Sequence, residues 1–319
     1  MSRLLLQNAW AAGLAVLLAL LLVATKVIQP DFGVSGLDSL ARAALPYALA
    51  TCGMAVVVIA GGIDLSMASM MAVCSVSGAV LMAEGSEGLA LPVVALVLGL
   101  GLAMGTINGT LVVLTRVPDI VVTLAMLYVW GGVALLILNA PGGGAAAMLR
   151  ALIVGGVALP GLAWLPKALV FLVVAAALIW LPIRRTKLGL MFYAIGSDPL
   201  AAFRSGVPVG RVKIASYAVA GLFAALGGLS VTLSTGIGEP IPGPYLMAAV
   251  AAVVLGGVRL GGGRGGLLGP ILAVLVLRLV RMDLTLMNFD PNVTTIVEGS
   301  IMVAVVMFGG LMALRGRMT

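Results

Sequence analysis

The stretch LARAALPYALATCGMAVVVIAGGIDLSMASMMAVCSVSGAVLMA, residues 40–83, decides the fold. It holds two apolar runs, 40–60 and 65–83, parted by Gly61-Gly62-Ile63-Asp64. Each run matches the roughly 20 residues that a helix needs to cross a hydrocarbon layer about 30 Å thick. The same texture extends along the chain. Of 319 residues, 62% are hydrophobic and 9% charged, far below the roughly one-quarter charged in a soluble domain. A water-soluble fold of this length cannot hide so much apolar surface. The composition excludes an ordinary soluble enzyme, a disordered protein and a secreted disulfide scaffold. It predicts an all-α polytopic membrane protein.

Further spans are predicted at 9–27, 89–115, 119–138, 166–182, 213–235, 245–258, 266–282 and 292–313, about ten transmembrane helices in all. The first run follows Arg3 and is too long for a signal-peptide core, so it reads as a retained helix. The span at 245–258 is short and bounded by glycine, which predicts a tilted or broken helix. Residues 150–162 are apolar but interrupted by Gly155, Gly156 and Pro160, the pattern of an interfacial or re-entrant segment on the outer side. Residues 1–319 read as one transmembrane domain.

Orientation follows from charge. With the N-terminus inside, the inner loops collect twelve of the 18 Lys and Arg, six of them within 183–213. Cytoplasmic loops carry such an excess, so both termini are expected in the cytoplasm. The net charge of +7 is then a membrane signature, and no nucleic-acid partner is implied. The chain has no histidine, which excludes His-based acid–base chemistry and His metal ligation. Cys52 and Cys74 lie in apolar runs without metal-ligand spacing and read as core residues.

Asp64 admits two readings. A carboxylate where a helix begins accepts from free backbone N–H groups. Alternatively, the broken backbone beside Asp64, Ser66 and Ser69 lines a path for solute. Gly101, Gly105 and Gly109 recur every four residues, the small-residue face that lets membrane helices approach closely. Asn108 beside that face either bonds across helices or touches solute. Glu298 and Arg278 fall at similar depths from the outer side, which predicts an intramembrane ion pair. Val58–Leu65 is echoed by Val253–Leu260, each holding a Gly-Gly break; an internal repeat and chance are both open.

Three segments carry a resemblance. Gly61-Gly-Ile-Asp-Leu-Ser66 is followed by a small-residue helix. Ala194-Ile-Gly-Ser-Asp-Pro-Leu-Ala-Ala-Phe-Arg-Ser-Gly-Val207 forms the second, and Ala251-Ala-Val-Val-Leu-Gly-Gly257 with Gly262-Gly-Arg-Gly265 the third. In this order, with weaker matches at Gly105–Gly109 and Val122–Leu124, they resemble the membrane permease of ribose/xylose/arabinose-type ATP-binding-cassette sugar importers. Three positions depart from the pattern. Leu246 and Ala248 follow Tyr245 where the family usually carries acidic residues, and Asp198 replaces an asparagine.

The resemblance implies a permease subunit translocating a monosaccharide or sugar-like solute, with no bond chemistry of its own. It implies ATP-binding-cassette ATPase subunits, a second permease copy, identical or not, and a periplasmic solute-binding protein. Residues 183–213 would be the cytoplasmic coupling loop. Within it, Asp198 caps a short helix with Pro199 in its first turn. Gly196, Ser197, Asp198, Ala201, Ala202, Arg204, Ser205 and Gly206 would dock on the ATPase. Asp64, Ser66, Asn108, Thr123, Ser230 and Thr232 are candidates for the solute pathway. The chain contains no G-x-x-x-x-G-K-[ST] phosphate loop, so Mg-ATP would be held by the partner ATPase and no cofactor by this chain. A furanone-type signalling molecule as solute, an ion-driven secondary transporter and a membrane-embedded enzyme remain as rivals.

Overall fold

The computed structural model describes residues 2–84, 87–158 and 161–318. Pro160 lies outside the described residues. The helices are α1 (Ser2–Ile28), α2 (Val34–Ile59), α3 (Met67–Glu84), α4 (Ala90–Thr115), α5 (Asp119–Ile137), α6 (Ala147–Arg150) and α7 (Lys167–Arg185). They continue with α8 (Lys187–Ser197), α9 (Pro199–Arg204), α10 (Val209–Thr235), α11 (Tyr245–Leu255), α12 (Leu268–Leu286) and α13 (Pro291–Met318). Among the described residues there is no sheet, only isolated bridges between Gly142 and Gly238 and between Gly156 and Pro166.

Every apolar run predicted from sequence coincides with a helix. Among the described residues, six helices are long and apolar enough to cross a membrane, and α3 and α11 are shorter apolar helices. Burial sorts them into centre and periphery. The apolar windows of α2 and α10 are 83% and 72% buried within the chain, against 11% for α1 and for α5. The outer helices turn Leu20, Leu114, Leu136 and Leu178 outward, a surface suited to lipid tails.

Lipid tails are as apolar as leucine, so helix contacts in a membrane depend on close packing rather than on escape from water. The seam between α4 and α10 shows this. A methyl group on Gly101, Gly105 or Gly109 would overlap the backbone of Gly221, Tyr217 or Ile214. The small-residue face read from the sequence is a backbone-to-backbone contact. Cys52 and Cys74 are buried and free.

The two ends of the bundle differ. One is cationic: it gathers Arg116, the α7–α8 junction with Arg184, Arg185 and Lys187, the start of α10 with Arg211 and Lys213, and the α11–α12 connection with Arg259 and Arg264. At the opposite end, residues 150–158 fold over the start of α2, where Asp38 Oδ1 accepts from Gly155 N at 3.0 Å.

Residues 183–213, expected as a loop with one short helix, are mostly helical. α7 continues through Pro182 to Arg185, α8 comes next, and α9 is the expected short helix. α8 forms because Leu188, Phe192 and Ile195 share one face at helical spacing. Phe192 and Ile195 are buried against the bundle.

Candidate coupling and translocation site

The break after α2 is built by its glycines. Gly61 has φ +79°, a conformation open to glycine without penalty. Gly61 N donates to Val58 O and Gly62 N to Val57 O, both at 2.9 Å, a Schellman-type stop. The chain then turns inward through Ile63 and Asp64.

Asp64 is fully buried. Its Oδ1 accepts from Ser66 N at 2.9 Å and from Ser66 Oγ at 2.6 Å. Ser66 O accepts from Met70 N at 3.0 Å, so Ser66 opens α3 and Asp64 stands two residues before it. Asn108 Nδ2 donates to Ser66 Oγ at 2.6 Å, and Asn108 Oδ1 accepts from Trp130 Nε1 at 3.1 Å. Asn108 therefore bonds across helices. Thr123 Oγ1 lies 2.8 Å from Asp119 O and 3.3 Å from Ile63 O. Asp64 Oδ2 meets no donor among the described residues.

Of the six pathway candidates, Asp64, Ser66, Asn108 and Thr123 thus converge around the break. Ser230 and Thr232 lie elsewhere. Ser230 Oγ donates to Gly227 O of its own helix at 2.7 Å, and Thr232 Oγ1 pairs with Ser75 Oγ at 2.9 Å. All six side chains are buried between helices.

Sequence reading missed the groups that brace the break. Asp119, at the start of α5, holds Lys213 Nζ at 2.7 Å through Oδ1. Its Oδ2 lies 3.0 Å from the Tyr217 hydroxyl, which also reaches Ile63 O at 3.2 Å. The only signal was charge: Asp119 and Lys213 sit at the cationic ends of their helices, 94 residues apart.

The coupling segment meets the break directly. Asp198 Oδ1 accepts from Leu200 N and Ala201 N, each at 2.9 Å, and Pro199 occupies the first turn of α9. α9 stops at Gly206, φ +84°, with Val207 N donating to Ala202 O at 3.1 Å. Ala202 faces inward, whereas Leu200, Ala201, Phe203, Arg204, Ser205 and Gly206 are exposed. The largest apolar groups on the exposed side are Leu200 and Phe203.

Gly196, at the end of α8, touches both other motifs. A methyl on Gly196 would overlap Ile59 O, and one on Gly262 would come within 2.9 Å of Gly61 Cα. Gly263 N donates to Ile59 O at 2.9 Å, satisfying a carbonyl that the end of α2 leaves free. Tyr193 Oη donates to Gly265 O at 2.8 Å, and burial pushes its phenol pKa up against the lowering effect of Arg184. Three glycine segments far apart in sequence thus form one backbone junction.

At the other charged position, Glu298 accepts from Arg278 Nη2 and, at 2.6 Å, from Arg281 Nη1. The expected ion pair is present with a second arginine added.

Residues 36–306 match the sequence profile of the family described as branched-chain amino acid transport system / permease component. The chain belongs to that permease family. It is similar to the autoinducer 2 import system permease protein LsrD of Escherichia coli strain K12, 29% identical over 318 residues, covering 94% of this chain and 92% of that protein. LsrD of Shigella flexneri is similar to the same degree, 29% identical over 94% of this chain and 92% of its own length. No solved structure matches the chain. The resemblance read from three motifs is a family membership: the chain is a multi-pass inner-membrane permease subunit of an ATP-driven importer, a transport subunit rather than an enzyme.

Proposed function

We propose that this permease passes a monosaccharide or sugar-like solute inward through ten membrane helices, folded as one domain over 1–319 with both termini cytoplasmic. The cationic end is the cytoplasmic face. An ATP-binding-cassette ATPase subunit docks there on α9 and holds the Mg-ATP. A second permease copy, identical or related, completes the pathway, and a periplasmic binding protein delivers solute. Asp64, Ser66, Asn108 and Thr123 form the inner end of the path, with Ser230 and Thr232 further out. Ser66, Asn108, Thr123 and Thr232 are bonded across elements in the structure, so the path opens by separating them.

The observation that carries this reading is the junction of Gly61, Gly196 and Gly262. It ties the capped α9, which exposes Leu200 and Phe203, to the backbone break that holds Asp64. A push on α9 is transmitted through backbone contacts too tight to absorb it. The experiment is reconstitution with the ATPase. Phe203→Glu should leave the permease folded and inserted, and abolish ATP-dependent uptake of D-ribose or autoinducer 2. A purified chain that moves solute alone on an ion gradient, indifferent to ATP, overturns the reading. Impermeant thiol labels at Ser205→Cys and at the exposed Ala140→Cys should report opposite sides of the membrane.

A furanone-type signalling molecule is the second reading of the solute. The similarity to LsrD favours it. Competition between autoinducer 2 and D-ribose for uptake separates the two.

A further inference from the structure

Resting on the importer reading above, we infer that the outer-facing half of the bundle holds a solute-recognition station built from Tyr47, Tyr245, Glu239 and Arg278. α11 has 11 residues, about 16 Å at 1.5 Å per residue, so it crosses only half of a hydrocarbon layer about 30 Å thick. The chain reaches its start through residues 236–244, which have no helical structure. Glu239 N in that segment donates to Ser75 Oγ at 3.1 Å. Irregular backbone at membrane depth persists where it is enclosed by protein or lines a watery cavity. Discontinuous helices that begin near the midplane are where transporters place solute.

The residues at this point have the chemistry of a site. Tyr47, Tyr245 and Arg278 stand twelve, ten and ten residues from Ile59, Leu255 and Leu268, the cationic ends of their helices. At 1.5 Å per residue these are depths of about 15–18 Å. The two tyrosine rings meet with centroids 4.7 Å apart and planes at 59°. The Arg278 guanidinium stacks over Tyr47, 4.1 Å from its centroid. Between Ala44 and Ala60, Tyr47 alone is not fully buried. An arginine at this depth does not face lipid tails, so the partly exposed edge of the Tyr47 ring beside it faces protein or water. Arg278 and Arg281 share Glu298, and Glu239, half-buried in the segment that leads into Tyr245, adds a second carboxylate that matches the two cations in number. A balanced set suits a neutral solute. Aromatic faces, phenol hydroxyls and a carboxylate together recognise a polyhydroxylated ring of five or six atoms, the faces against C–H groups and the polar atoms on hydroxyls.

The test uses the assembled importer in proteoliposomes, with its ATPase and binding protein, and D-ribose and autoinducer 2 as probes. Tyr245→Phe and Glu239→Gln should each lower uptake per ATP hydrolysed at least ten-fold, with ATP hydrolysis stimulated by loaded binding protein staying within two-fold of wild type. Uptake per ATP within two-fold of wild type in both variants overturns the station. Should the wild type carry neither probe, the sugar-like reading falls, and water access decides the station separately. Tyr245→Cys should then react with an impermeant thiol reagent added outside intact cells. The lipid-facing control Leu178→Cys should not react, nor the wild type, whose Cys52 and Cys74 are buried. An unreactive Tyr245→Cys, with and without ATP turnover, overturns the station.

Discussion

The break after α2 and the break after α11 are one piece of backbone used twice. Gly61 N and Gly62 N donate to Val58 O and Val57 O; Gly257 N and Val258 N donate to Val254 O and Val253 O, at 3.0 and 3.1 Å. The left-handed residue is Gly61 in one and Gly257 in the other, both at φ +79°. The echo between Val58–Leu65 and Val253–Leu260 is therefore real in conformation but slipped by one residue. The sequence aligns Gly61 with Gly256; the backbone aligns it with Gly257. Beyond the turn the two part company. The first leads to the buried, bonded Asp64, the second to Arg259, exposed at the cationic end. A shared helix stop does not dictate where the chain goes beyond it.

The comparison is broken most severely at the point where the two breaks touch. Gly196 sits between them, and a methyl there would overlap Ile59 O and lie 2.6 Å from Gly263 N. Both are backbone atoms, so no rotamer change relieves the overlap. Gly196→Ala should reduce the yield of folded permease more than ten-fold, measured by fluorescence-detected size exclusion. Gly206→Ala is the matched control. Unlike the helical Gly196 it has a glycine-only backbone, φ +84°, but open space around it, so it should lose only the about 1–2 kcal/mol of left-handed strain and keep its yield within about three-fold.

The left-handed glycines themselves sharpen the comparison. Gly61→Ala and Gly257→Ala each meet the same backbone strain. They differ in what the methyl finds: Gly196 Cα at 3.3 Å beside Gly61, and the part-exposed Trp10 side chain at 2.8 Å beside Gly257. A side chain can move aside and a packed backbone cannot. Gly61→Ala should lower the thermal midpoint of the detergent-solubilised protein more than Gly257→Ala. The reverse order would mean that the junction with α8 is looser than its contacts imply.

These contrasts also mark what the amino-acid sequence makes legible. The positions of the apolar helices α1–α5, α7 and α10–α13 were readable, because long apolar runs and glycine breaks are local signals. So were the α9 cap at Asp198, the α4 glycine face and the Arg278–Glu298 pair, each fixed by spacing along one or two elements. α8 was missed because its basic start at Lys187 masks the short apolar face of Leu188, Phe192 and Ile195. The Asp119–Lys213–Tyr217 brace was invisible, since its members are scattered singly and only packing brings them together. The convergence of Gly61, Gly196 and Gly262 was likewise hidden, though all three lie in the motifs that identify the family.

Asp64 tests whether the first break does more than end a helix. Its Oδ1 takes both bonds to Ser66, and Oδ2 is buried without a donor among the described residues. A buried polar atom left so calls for an explanation beyond packing, and a donor that arrives in another state of the transport cycle is the explanation to test. Asp64→Asn retains an oxygen for Ser66 and replaces the vacant acceptor with an N–H donor. Assembly should persist and ATP-dependent uptake fall at least ten-fold. Normal uptake would return Asp64 to a helix-start role alone.

The smallest effect is expected at Arg259, the residue that the sequence echo pairs with Asp64. Its backbone does the structural part: Arg259 N donates to Arg264 O at 3.2 Å, and its carbonyl accepts from Gly262 N at 2.9 Å. Neither bond involves the side chain, which is exposed. Surface substitutions away from caps, cores and buried networks change stability by about 0.5 kcal/mol or less. Arg259→Gln keeps length and polarity and removes one of several cationic-end charges, too few to invert the membrane orientation set by the others. Thermal midpoint and uptake should both stay close to wild type, uptake within two-fold. If Arg259→Gln instead stops uptake as Asp64→Asn is expected to, the second break carries a working charge of its own, and the two breaks are functional as well as conformational twins.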